Sequence, residues 1–322
     1  MKLDLKLYRG YANEKELVVY GHVFKARGRG DYAYDKKKLK HALTIIQMFR
    51  VKPMDNVEVE LRFEDLTVRT RTMHDGYFRF SIPFVKPIKS GWHTYTVTGF
   101  HEGDATTGEG ELLKPYESKV SIISDIDDTF LVSHSNNFFK KIYVMLTRNV
   151  NRRKTFDDVV EHYRQLSIAG QDAKEASNSF FYVSSSEWNL YGFIVRFAQE
   201  NKLPKAVIKL KKLKTGLRDF VKTGRGDHDH KFDKIQDIID FYPSIDYVLL
   251  GDDSQQDPDI YERICKTFPM NIRAVYIRQT GHHKKERVGE ILKNINTLDV
   301  HTCYFKKSTK ALRHSKQIGI IN

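Results

Sequence analysis

Asp125 and Asp127 stand two residues apart at the end of the apolar, β-branched run Val120-Ser121-Ile122-Ile123-Ser124. On an extended strand end that spacing puts both carboxylates on one face. Carboxylates that close repel unless a proton or a cation lies between them. Mg²⁺ is the economical partner, because a hard ion takes oxygen ligands and usually keeps several waters. A buried strand ending abruptly in acids is also how a parallel α/β sheet delivers groups to its carboxyl edge, where ligands bind.

Later segments add groups of matching type. Phe180-Phe181-Tyr182-Val183 runs into Ser184-Ser185-Ser186, and a hydroxyl there can bond a phosphoryl oxygen, although a triple serine also caps helices. Asp246 to Gly251 runs into Asp252-Asp253, with Asp257 beyond. In a doubly wound sheet this strand neighbours the first across the switch point, so Asp252 is expected to face Asp125 and complete a Mg²⁺ site. Asp257 precedes Pro258 and reads equally as a helix cap or as a supporting ligand. Lys231 opens an amphipathic helix carried by Ile235, Ile238, Ile239 and Tyr242. A lysine at a helix start opposes the dipole preference, which suggests that it neutralises a phosphoryl group and a carboxylate. On this reading Lys231 is preferred over Lys234.

The elements that must position these groups fall into two sets. Residues 1–115 read as an all-β, sandwich-like domain. Val57 to Phe63 and Tyr95 to Thr98 alternate strictly, Leu17–Phe24 and Tyr77–Phe84 are further strands, and Asp75-Gly76 marks a turn. One helix is expected over Leu39, Ala42, Leu43, Ile46 and Phe49. The histidines of this half show no metal-ligand spacing. Glu102 to Tyr116, rich in Gly, Thr and acids, is taken as the boundary. Residues 116–322 alternate apolar strands (122–125, 180–183, 206–210, 247–251, 272–277) with helices beginning near Trp188, Phe232, Asp257 and His283. That alternation implies an α/β doubly wound parallel sheet. The long interval after the first strand suggests a helical cap insertion over about 131–178.

The order Asp-x-Asp, Ser, Lys, Gly-Asp-Asp resembles the four motifs of the haloacid dehalogenase superfamily. Finer matches lie in Ser124 to Thr129, Tyr182 to Trp188, His230-Lys231 and Gly251 to Tyr261. They resemble the actin-patch-protein family of Mg²⁺-dependent phosphatidate phosphatases, over about 120 to 280. The resemblance implies a haloacid-dehalogenase-type fold and a phosphoric monoester hydrolase. It implies that Asp125 is the nucleophile and Asp127 the general acid/base, with Ser184 and Lys231 on the phosphoryl oxygens. The implied metal ligands come from Asp125, Asp127, Asp252 and Asp253. Asp253-Ser254 stands where Ser-Gly is expected, which leaves open whether Asp252 or Asp253 ligates directly.

Charge bears on the substrate. The chain has 54 Lys and Arg against 41 Asp and Glu, a formal net charge of +13. A basic balance suits an anionic partner. Residues 129–156 contain Lys140, Lys141 and Arg148 among apolar residues at helical spacing and no acid, and Lys205 to Lys231 is a second basic stretch. Such segments can lie on an anionic bilayer. The expected substrate is therefore phosphatidate, on a cytoplasmic enzyme peripherally associated with an anionic membrane. A soluble phosphomonoester is the alternative within enzymes, and a non-catalytic anionic-lipid-binding module the alternative outside them. No Gly-rich phosphate loop or RNA-binding aromatic motif occurs, so nucleic acid is not expected. No stretch approaches the ~20 apolar residues of a membrane span. Cys265 and Cys303, the only cysteines, fit a reducing compartment better than a disulfide framework.

Overall fold

The computed structural model describes residues 2–26, 51–83, 87–116, 120–126, 153–170, 177–211, 229–280 and 285–322. The helix expected over 39–49 and most of both basic stretches lie outside these residues. The chain forms two compact units. The first holds Met1–Pro115 together with Glu187–Tyr191, and the second is built from Tyr116–Ser186, Gly192–Lys211 and Gly226–Asn322.

In the first unit seven strands form one mixed sheet. They are β1 (Leu3–Ala12), β2 (Glu16–Lys25), β3 (Glu58–Phe63), β4 (Leu66–Arg71), β5 (Tyr77–Pro83), β6 (Gly91–His101) and β7 (Asp104–Lys114). Their order is β4-β3-β6-β7-β1-β2-β5. Hydrophobic alternation sets the faces: Val59 and Leu61 of β3, Phe78 and Phe80 of β5, and Tyr95 and Val97 of β6 meet in a single core with Leu17, Val19 and Val23. Asp75-Gly76 makes the expected turn, with Gly76 at φ +76 and no room for a Cβ, which would lie 2.5 Å from the Val23 carbonyl oxygen. The strands it joins, β4 and β5, stand at opposite ends of the sheet order. The stretch taken as the boundary is mostly β7, which pairs along its whole length with β6. Its Gly and Thr residues suit a strand with one solvated face.

The second unit is a six-stranded sheet of β8 (Val120–Asp125), β9 (Phe180–Glu187), β10 (Val207–Lys211), β11 (Asp246–Asp252), β12 (Ile272–Arg278) and β13 (His301–Phe305). The order is β10-β9-β8-β11-β12-β13. The pairs β8·β9, β8·β11, β11·β12 and β12·β13 are all parallel. The order reverses between β8 and β11, so the switch point of this doubly wound sheet lies there. The helices are α1 (Arg153–Ile168), α2 (Tyr191–Glu200), α3 (Asp229–Phe241), α4 (Asp257–Thr267), α5 (Lys285–Asn296) and α6 (Ser308–Gln317). α4 packs on α3 and α5, and α1 packs on α6. α1 falls within the expected cap insertion, but Val159, Tyr163 and Leu166 are buried and His162 bonds Ser315 of α6. It is therefore part of the layer against the sheet. The rest of the stretch from 131 to 152 lies outside the described residues.

Strand β13 and helix α6 were not read from the sequence. Cys265 and Cys303 are both free and buried; burial lifts their thiols to about 12 and about 11, leaving them inert. Among the described residues no helix is long and apolar enough to cross a membrane.

Candidate active site

Asp125 ends β8, where Asp125 pairs with Val183 of β9 and the preceding Ser124 pairs with Leu250 of β11. Ser184 therefore stands one place beyond Asp125 on one side, and Asp252 stands two places beyond Leu250 on the other. All three are buried, at 1%, 0% and 0% exposure. Three polar residues at one buried sheet edge cost free energy to desolvate, so they need partners.

Helix α3 delivers the main one. Lys231, 3% exposed, lies in the first turn of α3, with its Nζ 2.9 Å from Asp125 Oδ1 and in contact with Asp257 Oδ1. Burial opposes the charge on Lys231, but the carboxylates of Asp125 and Asp257 outweigh it and hold the ammonium pKa above its ordinary value. A cation held between two acids is a compact way to keep them ionised. Lys234 is placed differently: its Nζ donates to the Ser184 carbonyl oxygen at 3.1 Å. Lys231 is thus the lysine on the nucleophile candidate, and Lys234 holds the strand end beside it.

Asp257 is not the helix cap expected from Pro258: Gln256 holds that place and Asp257 is the first residue of α4. It opens α4 ahead of Pro258 and turns its carboxylate back, accepting from the Asp252 backbone N–H at 3.3 Å while contacting Lys231. Gly251 makes this return possible, since a Cβ there would meet Asp257 Oδ2 at 2.5 Å and the Tyr261 ring at 2.9 Å. Tyr261 donates to the Leu250 carbonyl at 2.8 Å. Burial first, then the nearby Asp257 and Asp125 carboxylates, drives its phenol pKa far up.

The two acids at the end of β11 differ sharply. Asp252 Oδ1 accepts from the Ser254 N–H at 2.6 Å, a turn that fixes its χ1. Asp253 points elsewhere: its Oδ1 accepts from the Thr280 N–H at 2.7 Å and hydroxyl at 2.5 Å, and its Oδ2 from the Tyr304 hydroxyl at 2.6 Å. Both oxygens of Asp253 are engaged in tying the β11 loop to the ends of β12 and β13. Asp127 lies outside the described residues, and among those described no group of three or more His, Cys, Asp or Glu is placed to hold a metal ion.

Arg278, Thr280 and Tyr304 were missed in the sequence. Arg278 ends β12 opposite Asp252 and is 5% exposed; burial depresses its guanidinium pKa, with Tyr163 and Asp252 acting the other way. A lone Arg or Tyr at a strand end carries no spacing signal. The clue available was that the strand ends in Arg-Gln-Thr rather than in apolar residues.

Residues 120–279 match the phosphatidate phosphatase APP1 catalytic domain. The chain is similar to phosphatidate phosphatase APP1 of Saccharomyces cerevisiae, 24% identical over 229 residues, covering 67% of this chain and 36% of that protein. It is also similar to an uncharacterized protein of Schizosaccharomyces pombe, 24% identical over 182 residues, covering 54% of this chain and 28% of that protein. The chain thus spans about a third of the length of these relatives. Among solved structures, a carbohydrate acetylesterase from Xanthomonas citri covers 99% of this chain and 75% of its own, at 7% identity and a TM-score of 0.36. That likeness carries no argument about fold or function. The matched segment contains Asp125, Ser184, Lys231, Asp252 and Asp257, and through it the chain belongs to the family of the phosphatidate phosphatase APP1 catalytic domain.

Proposed function

We propose that this chain is a Mg²⁺-dependent phosphatidate phosphatase of haloacid-dehalogenase type, which hydrolyses the phosphomonoester through an aspartyl-phosphate on Asp125. The observation that carries the reading is the buried Asp125 at the switch point with Lys231 Nζ 2.9 Å from its carboxylate. A carboxylate buried only for stability would be better replaced by an apolar side chain. Family membership supports the substrate class, and the yeast relative's name supports phosphatidate itself.

The donor set fits magnesium. Asp125 and Asp252 are hard oxygen donors on adjacent strands, and the ligand at the end of β11 is Asp252, because both Asp253 oxygens already accept hydrogen bonds. Asp127 would complete the acidic set. When bound, the ion offsets repulsion between the carboxylates and the phosphate dianion. Asp125 attacks phosphorus in line and the bond to the ester oxygen breaks. Asp127 gives its proton to the departing alkoxide, then takes one from the water that attacks the aspartyl-phosphate. Breakage of the bond from phosphorus to the Asp125 oxygen releases inorganic phosphate. Lys231 neutralises the nucleophile before attack and the phosphoryl oxygens during it, and the Ser184 hydroxyl donates to one of those oxygens.

The residues of the first unit carry none of these groups, and we assign it an accessory role. The basic segments 129–156 and 205–231 would bring the site to an anionic membrane from the cytoplasmic side. Phosphate release from phosphatidate in mixed micelles, beside a panel of soluble phosphomonoesters, tests the assignment. Metal-dependent turnover of phosphatidate above the whole panel is expected. Release from soluble esters alone would leave the chemistry and overturn the lipid substrate.

A further inference from the structure

Within the second unit, a cavity of about 10 Å³ lies where α1 and α6 meet the ends of β11, β12 and β13, with room for one water-sized group. Its polar lining comes from His162, Tyr163, Tyr276, Arg278 and Ser308, and none of the described residues that line it is acidic. Three of these polar groups are bonded into the joint around it. The Tyr163 hydroxyl lies 2.7 Å from Ser124 Oγ, and His162 Nε2 and the Tyr276 hydroxyl meet Ser315 Oγ at 2.8 and 2.6 Å. Ser308 differs. It is 3% exposed, and its Oγ has no hydrogen-bond partner among the described residues. A buried hydroxyl left in that condition costs free energy, which a ligand beside it would offset.

The electrostatics specify the sign of that ligand. Ser308 is the first residue of α6. Lys307 stands at the cap position without a side-chain cap bond, and no acid lies in the first turn. The positive end of the helix dipole therefore goes unanswered from within the helix. Arg278, 5% exposed, brings a guanidinium to the same lining, a group that donates hydrogen bonds and accepts none. Asp252, its register partner on β11, acts on that guanidinium from the sheet edge. A helix start, an arginine and a spare hydroxyl around one small space favour an acceptor that carries negative charge.

We propose that this cavity is a halide site, which takes one chloride ion between the Ser308 hydroxyl, the start of α6 and the Arg278 guanidinium. Room for one water-sized group suits a single-atom anion and is too small for a tetrahedral phosphate. Asp125 is not among the lining residues, so the site is separate from the phosphoryl site and does not depend on the phosphatase reading. A bound ion there pins the first turn of α6 to the sheet and to α1.

The test uses the full chain, with thermal midpoints measured as sodium chloride replaces sodium gluconate at constant ionic strength. The general effects of the two salts cancel in the difference between wild type and Ser308→Ala, and the stabilisation of wild type over that variant should grow with chloride. The two should cross. In gluconate Ser308→Ala should match or exceed wild type, because it lacks a buried hydroxyl without a partner, and in chloride it should fall below. The apparent Kd for chloride should rise about 10-fold or more in Ser308→Ala and in Arg278→Gln, as expected for loss of a hydrogen bond to a charged group. Crystals soaked in sodium bromide should show an anomalous peak beside Ser308 Oγ in wild type and none there in Ser308→Ala. If Arg278→Gln fails to fold, Ser308→Ala and the bromide peak decide. Equal chloride dependence in wild type and folded Ser308→Ala overturns the proposal, and so does a water molecule in place of bromide.

Discussion

Ser124 and Asp125 are neighbours in β8, and their side chains enter two different interiors. Asp125 meets the ammonium of Lys231 and, through it, the carboxylate of Asp257. Ser124 meets the Tyr163 hydroxyl at 2.7 Å on the face covered by α1. Beyond Tyr163 on that face, His162 Nε2 lies 2.8 Å from Ser315 Oγ and the Tyr276 hydroxyl 2.6 Å from the same oxygen, and the buried Arg278 brings a positive charge near the Tyr163 phenol. Both networks are buried and both are hydrogen-bonded. A neutral network is the lower-cost way to hold two elements together, because buried ions must be desolvated. Hydrogen bonds between neutral groups carry the joint to α1, whereas a buried ion pair distinguishes the Asp125 face, and we read that face as the working site.

Lys231→Met should sharpen that contrast most. It leaves Asp125 and Asp257 buried without their shared cation, and a loss of about 3–5 kcal/mol is expected. Urea denaturation at neutral pH measures it, and turnover should vanish as well. A loss below about 1 kcal/mol would show that water already reaches the pair.

The face covered by α1 should reveal itself by pH. Burial, and then His314, pushes His162 down to about 4 in the folded protein, from an ordinary 6.5. The unfolded chain therefore takes up this proton first, and stability falls as pH drops from 6.5 towards 4. The full effect is about 3 kcal/mol, with no dependence from this group above pH 6.5. His22 is depressed similarly by burial, so the difference between wild type and His162→Gln isolates the contribution. A flat difference across that window would mean His162 is charged in place.

Metal affinity probes the next contrast, between adjacent acids. Asp252→Asn should weaken magnesium binding about 100-fold and Asp253→Asn about 10-fold, through the loop that Thr280 and Tyr304 hold. Calorimetric titration ranks them, and the reverse ranking would move the ligand by one residue. The smallest effect is expected for Tyr163→Phe, which removes one neutral buried hydrogen bond worth about 1 kcal/mol and should leave turnover unchanged.

Asp125 was legible in the sequence because five β-branched or small residues give way to acid within one strand. Lys231 was legible because a lysine at a helix start is electrostatically odd. Asp257 was half legible: Pro258 announced the helix, but the return of its carboxylate to Lys231 depends on the space left by Gly251. Thr280 and Tyr304 were not legible, because their meaning lies in an acid on another strand. The strands of the second unit showed as apolar runs except β13, where His301 and Thr302 mask the pattern. β7 was hidden for a related reason, since Gly and Thr fill the positions that alternation would mark. Helix α1 was assigned to the cap because only tertiary packing, through His162 and Tyr163, reveals it as part of the sheet's own layer.

The central claim is that Asp125 is the attacking group, and Asp125→Asn tests it most directly. The amide keeps the shape and can still accept from Lys231, but it lacks the negative charge that attacks phosphorus. Steady-state phosphate release from phosphatidate micelles with magnesium should fall to background in this variant while its circular dichroism and thermal transition remain those of a folded protein. Turnover near the wild-type rate in folded Asp125→Asn would contradict the account and move the nucleophile elsewhere.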